Sequence, residues 1–355
     1  MANIKDKNKK LRLLMLTEGN FDQASARIRA IQYIPMLEES GYSVSFIPRI
    51  SVKTANPLLK YTYCPLMKRL LWIERYFALY FLQWDVIFIQ RLFIDELSLK
   101  RLTRRSKLIF DFDDAIYINS NDKTAYKKAG NMVRFAHQVV ISTPWLNDFC
   151  HSWGKNAEVI PTPVETDHIL PSLPKRDEVP VIGWIGSSWT TRHLKLVEPV
   201  LQQLSKEIDF VFLTVGAKPG YIILGVNHKN LKWEFEMEFK ALAEIDIGIM
   251  PLPDEDFARA KGGYKLYLYM AAGIPCVASP VGVNNSIIKN GENGFLAASE
   301  RDWLQKLKLL VQAEDLRKRM GKSGRRQAVK LYDRKVCFSQ LIKILEKETP
   351  MDDNN

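Results

Sequence analysis

Three cations, Arg259, Lys261 and Lys265, punctuate the stretch "FARAKGGYKLYLYMAAG", where a loop gives way to an apolar helix. Like charges so close together repel one another in an isolated helix, so the arrangement asks for an anion. Gly262 and Gly263 fall at the junction of loop and helix, where backbone N–H groups and the positive end of the helix dipole can converge on that anion. A diphosphate fits this description. A solvated basic loop over a core helix is the alternative.

Two further turns have the same character. In "GWIGSSWTTRHL" a strand passes through Gly186, Ser187 and Ser188 to a helix capped by Thr190 or Thr191. Small hydroxyl residues are first of all helix caps, but ligands of open α/β sheets bind beyond the carboxyl ends of the strands. The turn "TEGNFDQASARIR" follows the first strand and places Gly19 and Asn20 in a loop, with Arg27 and Arg29 on the helix behind. A GxGxxG pattern is absent, so a dinucleotide fingerprint is not supported.

The run "DFDDAIY" sets Asp111, Asp113 and Asp114 near the carboxyl end of a strand. Three carboxylates could hold a divalent metal, accept hydroxyl hydrogen bonds or supply a general base, and an Asx turn with helix caps is the plain alternative. By strand alternation Asp111 and Asp113 project to one side if the strand persists that far. Of five histidines, His137 and His193 could approach a cleft, and neither has a Ser-His-Asp or Cys-His spacing around it.

The elements that must position these residues alternate. Strands are expected at "LRLLMLT", "SVSFIP", "VIFIQ", "KLIFDF", "QVVIS" and "AEVIP", then in a second series at "VPVIGWIG", "FVFLTVG", "IDIGIMPL" and "PCVAS", with helices between them. That alternation is the mark of parallel sheets covered by helices. The proline-rich "PTPVETDHILPSLPKRDEVP" separates the two series as a linker. A chain of 355 residues suits about two domains, hence an α/β protein of two similar halves facing each other across a cleft.

The net charge of +11 favours polyanionic partners: nucleic acid, an acidic membrane surface or phosphorylated ligands. Four cysteines without a CxxC pair give neither a zinc site nor a disulfide framework. The basic N-terminus lacks the h-region and cleavage site of a signal peptide, and no segment reaches the length of a bilayer span. Residues 60–84, "KYTYCPLMKRLLWIERYFALYFLQW", join aromatics to Lys60, Lys68, Arg69 and Arg75. On a helix Lys68, Trp72, Arg75 and Tyr76 share one face, and Leu70, Leu71, Phe77, Ala78, Phe81 and Leu82 another. Such a helix could lie on an anionic membrane or simply cover a domain. Cations scattered over both halves, without one stripe, speak against nucleic acid.

With these motifs assembled, the chain resembles a glycosyltransferase of the GT-B architecture, similar to family 4, the glycosyl transferases group 1. The resemblance is strongest from "DIGIMPL" through "KGGYKLYLYMAAGIPCVASPVGVNNSIIKNGENGFLA", and "VIPTPVETDHI" is similar to the family's segment at the domain junction. It implies two Rossmann-like domains. The first, residues 1–165, is completed by a C-terminal helix at about 334–350 and holds the acceptor; the second, 166–333, holds a nucleotide sugar. It further implies glycosyl transfer with retention to an acceptor such as a lipid-linked saccharide or cell-surface polysaccharide precursor, without cofactor or metal, in the cytoplasm or on the cytoplasmic membrane face. Carried over by position, Arg259, Lys261 and Lys265 become diphosphate cations, with Gly186, Ser187, Ser188, Gly262 and Gly263 about the phosphates. Trp233 and Glu234 meet the base, Val281, Gly282 and Asn284 close the pocket, and Gly19, Asn20 and Arg27 form the first domain's loop. Asp113 and Asp114 stand near the transferred sugar, and with Lys265 they are the expected catalytic groups. One departure is plain: the family's two glutamates eight residues apart are replaced by Ala260 and Leu268, with Asp254, Glu255 or Asp256 as substitutes. The competing classes are an epimerase of the same fold and a non-catalytic nucleic-acid or membrane-binding protein.

Overall fold

The computed structural model describes residues 10–49, 69–70, 72–118, 122–169, 171 and 179–347. The chain divides into two units, one formed by Met1–Pro161 with Phe338–Asn355, the other by Thr162–Cys337.

In the first unit β1 (Leu11–Thr17), β2 (Tyr42–Pro48), β3 (Val86–Gln90), β4 (Lys107–Phe112), β5 (Gln138–Ile141) and β6 (Glu158–Val159) form a sheet in the order β2-β1-β3-β4-β5-β6, every pair parallel. Runs such as "VIFIQ" form its centre because they are apolar at successive positions, as a strand covered on both faces requires; all of β3 is buried. The register aligns Thr17 with Gln90 and Gln90 with Asp111, so the carboxyl ends of β1, β3 and β4 lie side by side. The strand order reverses between β1 and β3, the kind of switch point where open sheets leave a crevice for ligands.

The second unit repeats the plan with β7 (Val181–Ile185), β8 (Val211–Val215), β9 (His228–Leu231), β10 (Ile247–Met250), β11 (Cys276–Ala278) and β12 (Gly294–Leu296), ordered β12-β11-β10-β7-β8-β9 and parallel throughout. Here the order reverses between β7 and β10. One apolar layer gathers Leu266, Tyr269 and Met270 of helix Tyr264–Ala271, and another gathers Trp184, Phe212 and Trp303. Strands β9 and β12 were not expected from the sequence. Both are edge strands, and "HKNL" is polar while "GFL" is three residues long, so neither shows a two-residue hydrophobic alternation.

Two local expectations are corrected. The segment after β7 is a 3₁₀ helix, Thr190–Leu196, and the Thr190 hydroxyl donates back to the Ser187 carbonyl at 3.0 Å, so it closes a turn where an α-helical cap was expected. Strand β4 ends at Phe112, so alternation does not govern Asp113. On the helix over 72–81 the apolar face is largely exposed: Phe77 and Phe81 are exposed, and only Ala78 is buried. Lys60 and Lys68 lie outside the described residues, as does Leu71.

Helix Arg334–Glu346 passes from the second unit into the first. Phe338 meets the Tyr33 ring at 5.6 Å between centroids. Lys107, which opens β4, donates its ammonium to the carbonyls of Ile344 at 2.6 Å and Leu345 at 3.1 Å, capping the negative end of the helix.

Candidate active site

At the switch point of the first unit, the expected carboxylates are present but sorted by guanidinium groups. Asp111 is buried and paired with Arg29 at 2.5 Å, with both side chains at most 3 % exposed. Burial works against the charge on Arg29, but Asp111 outweighs it and holds the guanidinium above its ordinary pKa. A second arginine nitrogen donates to the Ile160 carbonyl at 3.0 Å, so this pair ties helix Ala24–Arg29 to the sheet. Asp111 is therefore structural. Asp113 and Asp114 stay nearer the surface and face Arg91, whose Nη1 lies 3.2 Å and 3.4 Å from their oxygens; Glu18 approaches the same guanidinium at 3.3 Å. Ser25 donates to Asp113 Oδ1 at 2.6 Å, and Gln90 Nε2 donates to Ser25 at 2.7 Å. Burial alone would raise the Asp113 pKa; Arg91, Arg29 and Ser25 outweigh it and keep the carboxyl below its ordinary value. These carboxylates are committed to arginines, and no group of three potential metal ligands occurs among the described residues.

Gly19 and Asn20 take the expected place after β1, where the Thr17 hydroxyl donates to the Gly19 carbonyl and Asn20 Oδ1 accepts from Asp22 N at 3.1 Å. Arg27 lies on the helix behind, as expected; it is buried, donates to the Phe21 carbonyl at 2.9 Å and sits over the Phe21 ring, so it shapes the loop from within. His137 takes a structural role. It precedes β5, at the amino end of the sheet, and its Nδ1 accepts from Leu108 N at 2.9 Å.

At the switch point of the second unit, the turn Gly186–Ser188 follows β7, with Ser187 N donating to Thr190 Oγ1 at 3.2 Å and both serines exposed. Beneath it lies Trp184, 1 % exposed, with the Lys265 ammonium 5.5 Å from the indole. Lys261 is 4.6 Å from the Phe257 ring and 6.0 Å from Trp189, and Arg192 stacks on Trp189 at 3.8 Å. These cations converge on His193, itself buried. Burial, then Lys261, Lys265 and Arg192, push its pKa down to about 4, so it is neutral at physiological pH. Burial is the larger cause of that shift, and the three cations beside the ring add a positive field that would suit an anion.

Gly263 adopts φ 72° at the start of helix Tyr264–Ala271, a left-handed conformation that glycine takes without steric cost, and Gly262 precedes it in the connecting loop. Arg259 departs from expectation. It ends a separate short helix, Asp256–Arg259, and its guanidinium is taken by Asp254 at 2.7 Å and Asp256 at 3.4 Å. The acidic residues expected to replace the missing glutamates thus neutralise Arg259, while Glu255 faces Arg192 at 3.8 Å. Ala260 and Leu268 are buried apolar residues.

Trp233 follows β9 and is brought to the Gly186–Ser188 turn by close backbone contact. Gly186 N donates to Val215 O, Gly216 N donates to Leu231 O, both at 2.9 Å, and a Cβ built at Gly216 would collide with the Gly186 carbonyl and lie 3.0 Å from Trp233 Cβ. Gly216 has φ 79°, so glycine is needed twice over. Glu234 is exposed and pairs with Lys232 at 3.3 Å. Past β11, Gly282 lies against the Arg259 carbonyl, whereas Val281 belongs to the apolar core. Asn284 is corrected: it is 1 % exposed and spends its amide on the Ser279 carbonyl at 3.0 Å, so it braces the loop.

Sequence reasoning missed Glu18 and Ser25 after β1 and Gln90 and Arg91 at the end of β3, two pairs far apart along the chain that meet Asp113 only through the β1-β3-β4 register. It also passed over Trp184 as an ordinary strand residue.

Comparison with known proteins finds a family match for part of the second unit and a shared fold for the whole chain. Residues 179–313 match the family model described as Glycosyl transferases group 1. N-acetyl-alpha-D-glucosaminyl L-malate synthase of Bacillus anthracis is 26 % identical over 162 residues, which is 42 % of this chain and 41 % of that protein. The chain thus matches less than half the length of this curated relative. Among solved structures, sucrose-phosphate synthase of Thermosynechococcus elongatus superposes with a TM-score of 0.70 at 16 % identity, covering 95 % of this chain and 99 % of the other. Anabaena HepE in complex with UDP and glucose does so with a TM-score of 0.66 at 14 % identity, over 95 % and 100 %. Residues 179–313 thus match the glycosyl transferases group 1 model, and the chain has the GT-B fold of two Rossmann-like units.

Proposed function

We propose that the chain transfers a glycosyl group from a nucleoside diphosphate sugar to an acceptor hydroxyl, with retention, and that the acceptor is a lipid-linked saccharide or cell-surface polysaccharide precursor. The observation that carries this reading is the convergence of Lys261, Lys265 and neutral His193 beside the Gly186–Ser188 turn at the switch point of the second sheet. The leaving diphosphate gathers negative charge, and fixed lysines with backbone N–H groups stabilise it without reorganising. In this reading no metal or other cofactor is called for, and turnover is unchanged by EDTA. Asp113 and Asp114 orient sugar or acceptor hydroxyls. The family match favours this reading over an epimerase or a nucleic-acid adaptor, and HepE supports it by binding UDP and glucose on the same fold.

A thermal-shift panel of uridine, guanosine and cytidine diphosphate sugars tests it, because a ligand that binds only the native state raises the melting temperature. One base is expected to stabilise the protein; a panel without any shift refutes the reading.

The helix over 72–81 adds a membrane surface as the place of action. Trp72 is 60 % and Phe81 67 % exposed; Trp72 stacks on Tyr76 and Phe77 on Phe81, forming an aromatic ridge. Arg101 sits 5.2 Å over the neighbouring Tyr80 ring, and Arg69, Arg104 and Arg105 are exposed on the flanking segments. Aromatics bordered by cations match the interface of an anionic bilayer. No helix among the described residues is long and apolar enough to cross a membrane. Sedimentation with phosphatidylglycerol vesicles should exceed that with phosphatidylcholine vesicles and fall in Phe77→Ser/Phe81→Ser. Equal sedimentation of wild type and variant removes the helix from this role.

A further inference from the structure

Arg91 is the only residue other than glycine with positive φ among the described residues, at 55°. It follows β3 directly, and its N–H donates to the Asp111 carbonyl at 2.9 Å, so its backbone continues the sheet while its side chain turns aside. Glycine or asparagine would take this conformation more readily, and arginine gains nothing from it sterically. The arginine side chain is therefore what the position uses. Nor does the fold need that side chain to neutralise the buried acid of β4, because Arg29 already pairs with Asp111.

The Arg91 guanidinium gathers three carboxylates, Glu18 after β1 and Asp113 and Asp114 after β4. On Asp113 the bonds from Arg91 and from Ser25 both end on Oδ1, and Ser142 fixes the Asp113 carbonyl at 2.8 Å. Beside this cluster Gln90 is fully buried, donates through Nε2 to Ser25, and leaves its Oε1 without a hydrogen-bond partner. A buried acceptor left open next to two oriented carboxylates describes a site for hydroxyl donors.

We propose that Arg91 is a positioning residue, holding Asp113 and Asp114 side by side as paired acceptors for the hydroxyls of a bound sugar. This rests on the reading of the chain as a glycosyltransferase and deepens it: the saccharide site of the first unit is built on an arginine clamp set by a left-handed backbone. The clamp acts in two ways. It fixes the geometry of both carboxylates, and its charge keeps Asp113 ionised, hence an acceptor, at lower pH than an unpaired buried carboxyl would remain so.

The test compares the full chain with Arg91→Ala, Arg91→Lys, Arg91→Gly and Asp113→Asn. Carboxyl ¹³C NMR, with the Asp113 signal identified by its loss in Asp113→Asn, reads the titration without any turnover. UDP-glucose hydrolysis is followed against pH in parallel. Arg91→Ala should move the Asp113 midpoint upward, carry the acid limb of kcat/KM with it and lower kcat about 100-fold. Arg91→Lys should restore the midpoint while recovering kcat only in part, since one ammonium cannot meet Asp113 and Asp114 as Nη1 does and also keep Glu18 against a second nitrogen as Nε does. Arg91→Gly relieves the backbone and keeps the fold, yet should lose kcat as Arg91→Ala does. An Asp113 midpoint and acid limb unmoved in Arg91→Ala overturn the clamp. The glycosyltransferase reading fails separately, if no nucleotide sugar binds or turns over in the wild type while the midpoint still moves.

Discussion

Binding of a diphosphate next to His193 should draw a proton into the site, and its size can be worked out. In the free protein burial and the three cations hold His193 at a pKa of about 4. A diphosphate among Lys261, Lys265 and Arg192 offsets the cation repulsion while burial, the larger cause, remains, so the pKa of His193 is higher in the complex than in the free protein. Ligand affinity must then rise as pH falls. Full recovery to the ordinary histidine value of about 6.5 makes binding about 10-fold tighter at about pH 5.5 than at about pH 7.5, and recovery of half the shift makes it about 1.5-fold tighter. The free protein runs the other way. Because the folded value lies below the unfolded one, the contribution of His193 to stability is complete above about pH 6.5 and is lost as pH falls toward about 4. Calorimetry with UDP-glucose is the assay, since its diphosphate is esterified at both ends and brings no titrating phosphate near neutrality. Buffers of different ionisation enthalpy count the protons taken up. His193→Gln should bind with no pH slope. Affinity that is flat or falls with acidification, or an equal slope in His193→Gln, refutes the reasoning.

Other outcomes follow from the same geometry. Gly216→Ala combines a left-handed backbone with a collision against the Gly186 carbonyl, together about 2–5 kcal/mol, so the second unit should melt roughly 5–15 °C lower. Arg29→Ala strands Asp111 inside the first unit and should cost about 3–5 kcal/mol in denaturant titrations; a loss below 1 kcal/mol would mean the pair is dispensable. Lys265→Ala should reduce kcat about 100- to 1,000-fold with the melting temperature nearly unchanged, and undiminished turnover would exclude the lysine from leaving-group stabilisation.

What the sequence disclosed about the fold and what it hid have distinct physical causes. Central strands such as "VIFIQ" and "KLIFDF" were legible because both their faces are covered and their apolar runs are continuous. The edge strands β9 and β12 were illegible because an edge can be polar or three residues long. In the second unit the turn at Gly186, Lys261 and Lys265 could be found because glycine and cations next to strand or helix ends stand out locally. Arg259 shows the limit of that signal: its neutralisation by Asp254 was encoded nearby, but only coordinates settle which charges pair. In the first unit Asp113 was visible and its setting was not, since Glu18, Ser25 and Arg91 are joined by sheet register.

The helix Arg334–Glu346 bears on how this molecule is made. Its latter half completes the unit that begins at the N-terminus, with Lys107 capping it and Phe338 beside Tyr33, although the ribosome emits it only after the whole second unit. During synthesis the first sheet must therefore wait, with the surface around Tyr33 open to solvent, while more than 170 later residues emerge and fold. The first unit is thus closed only by chain made after the second.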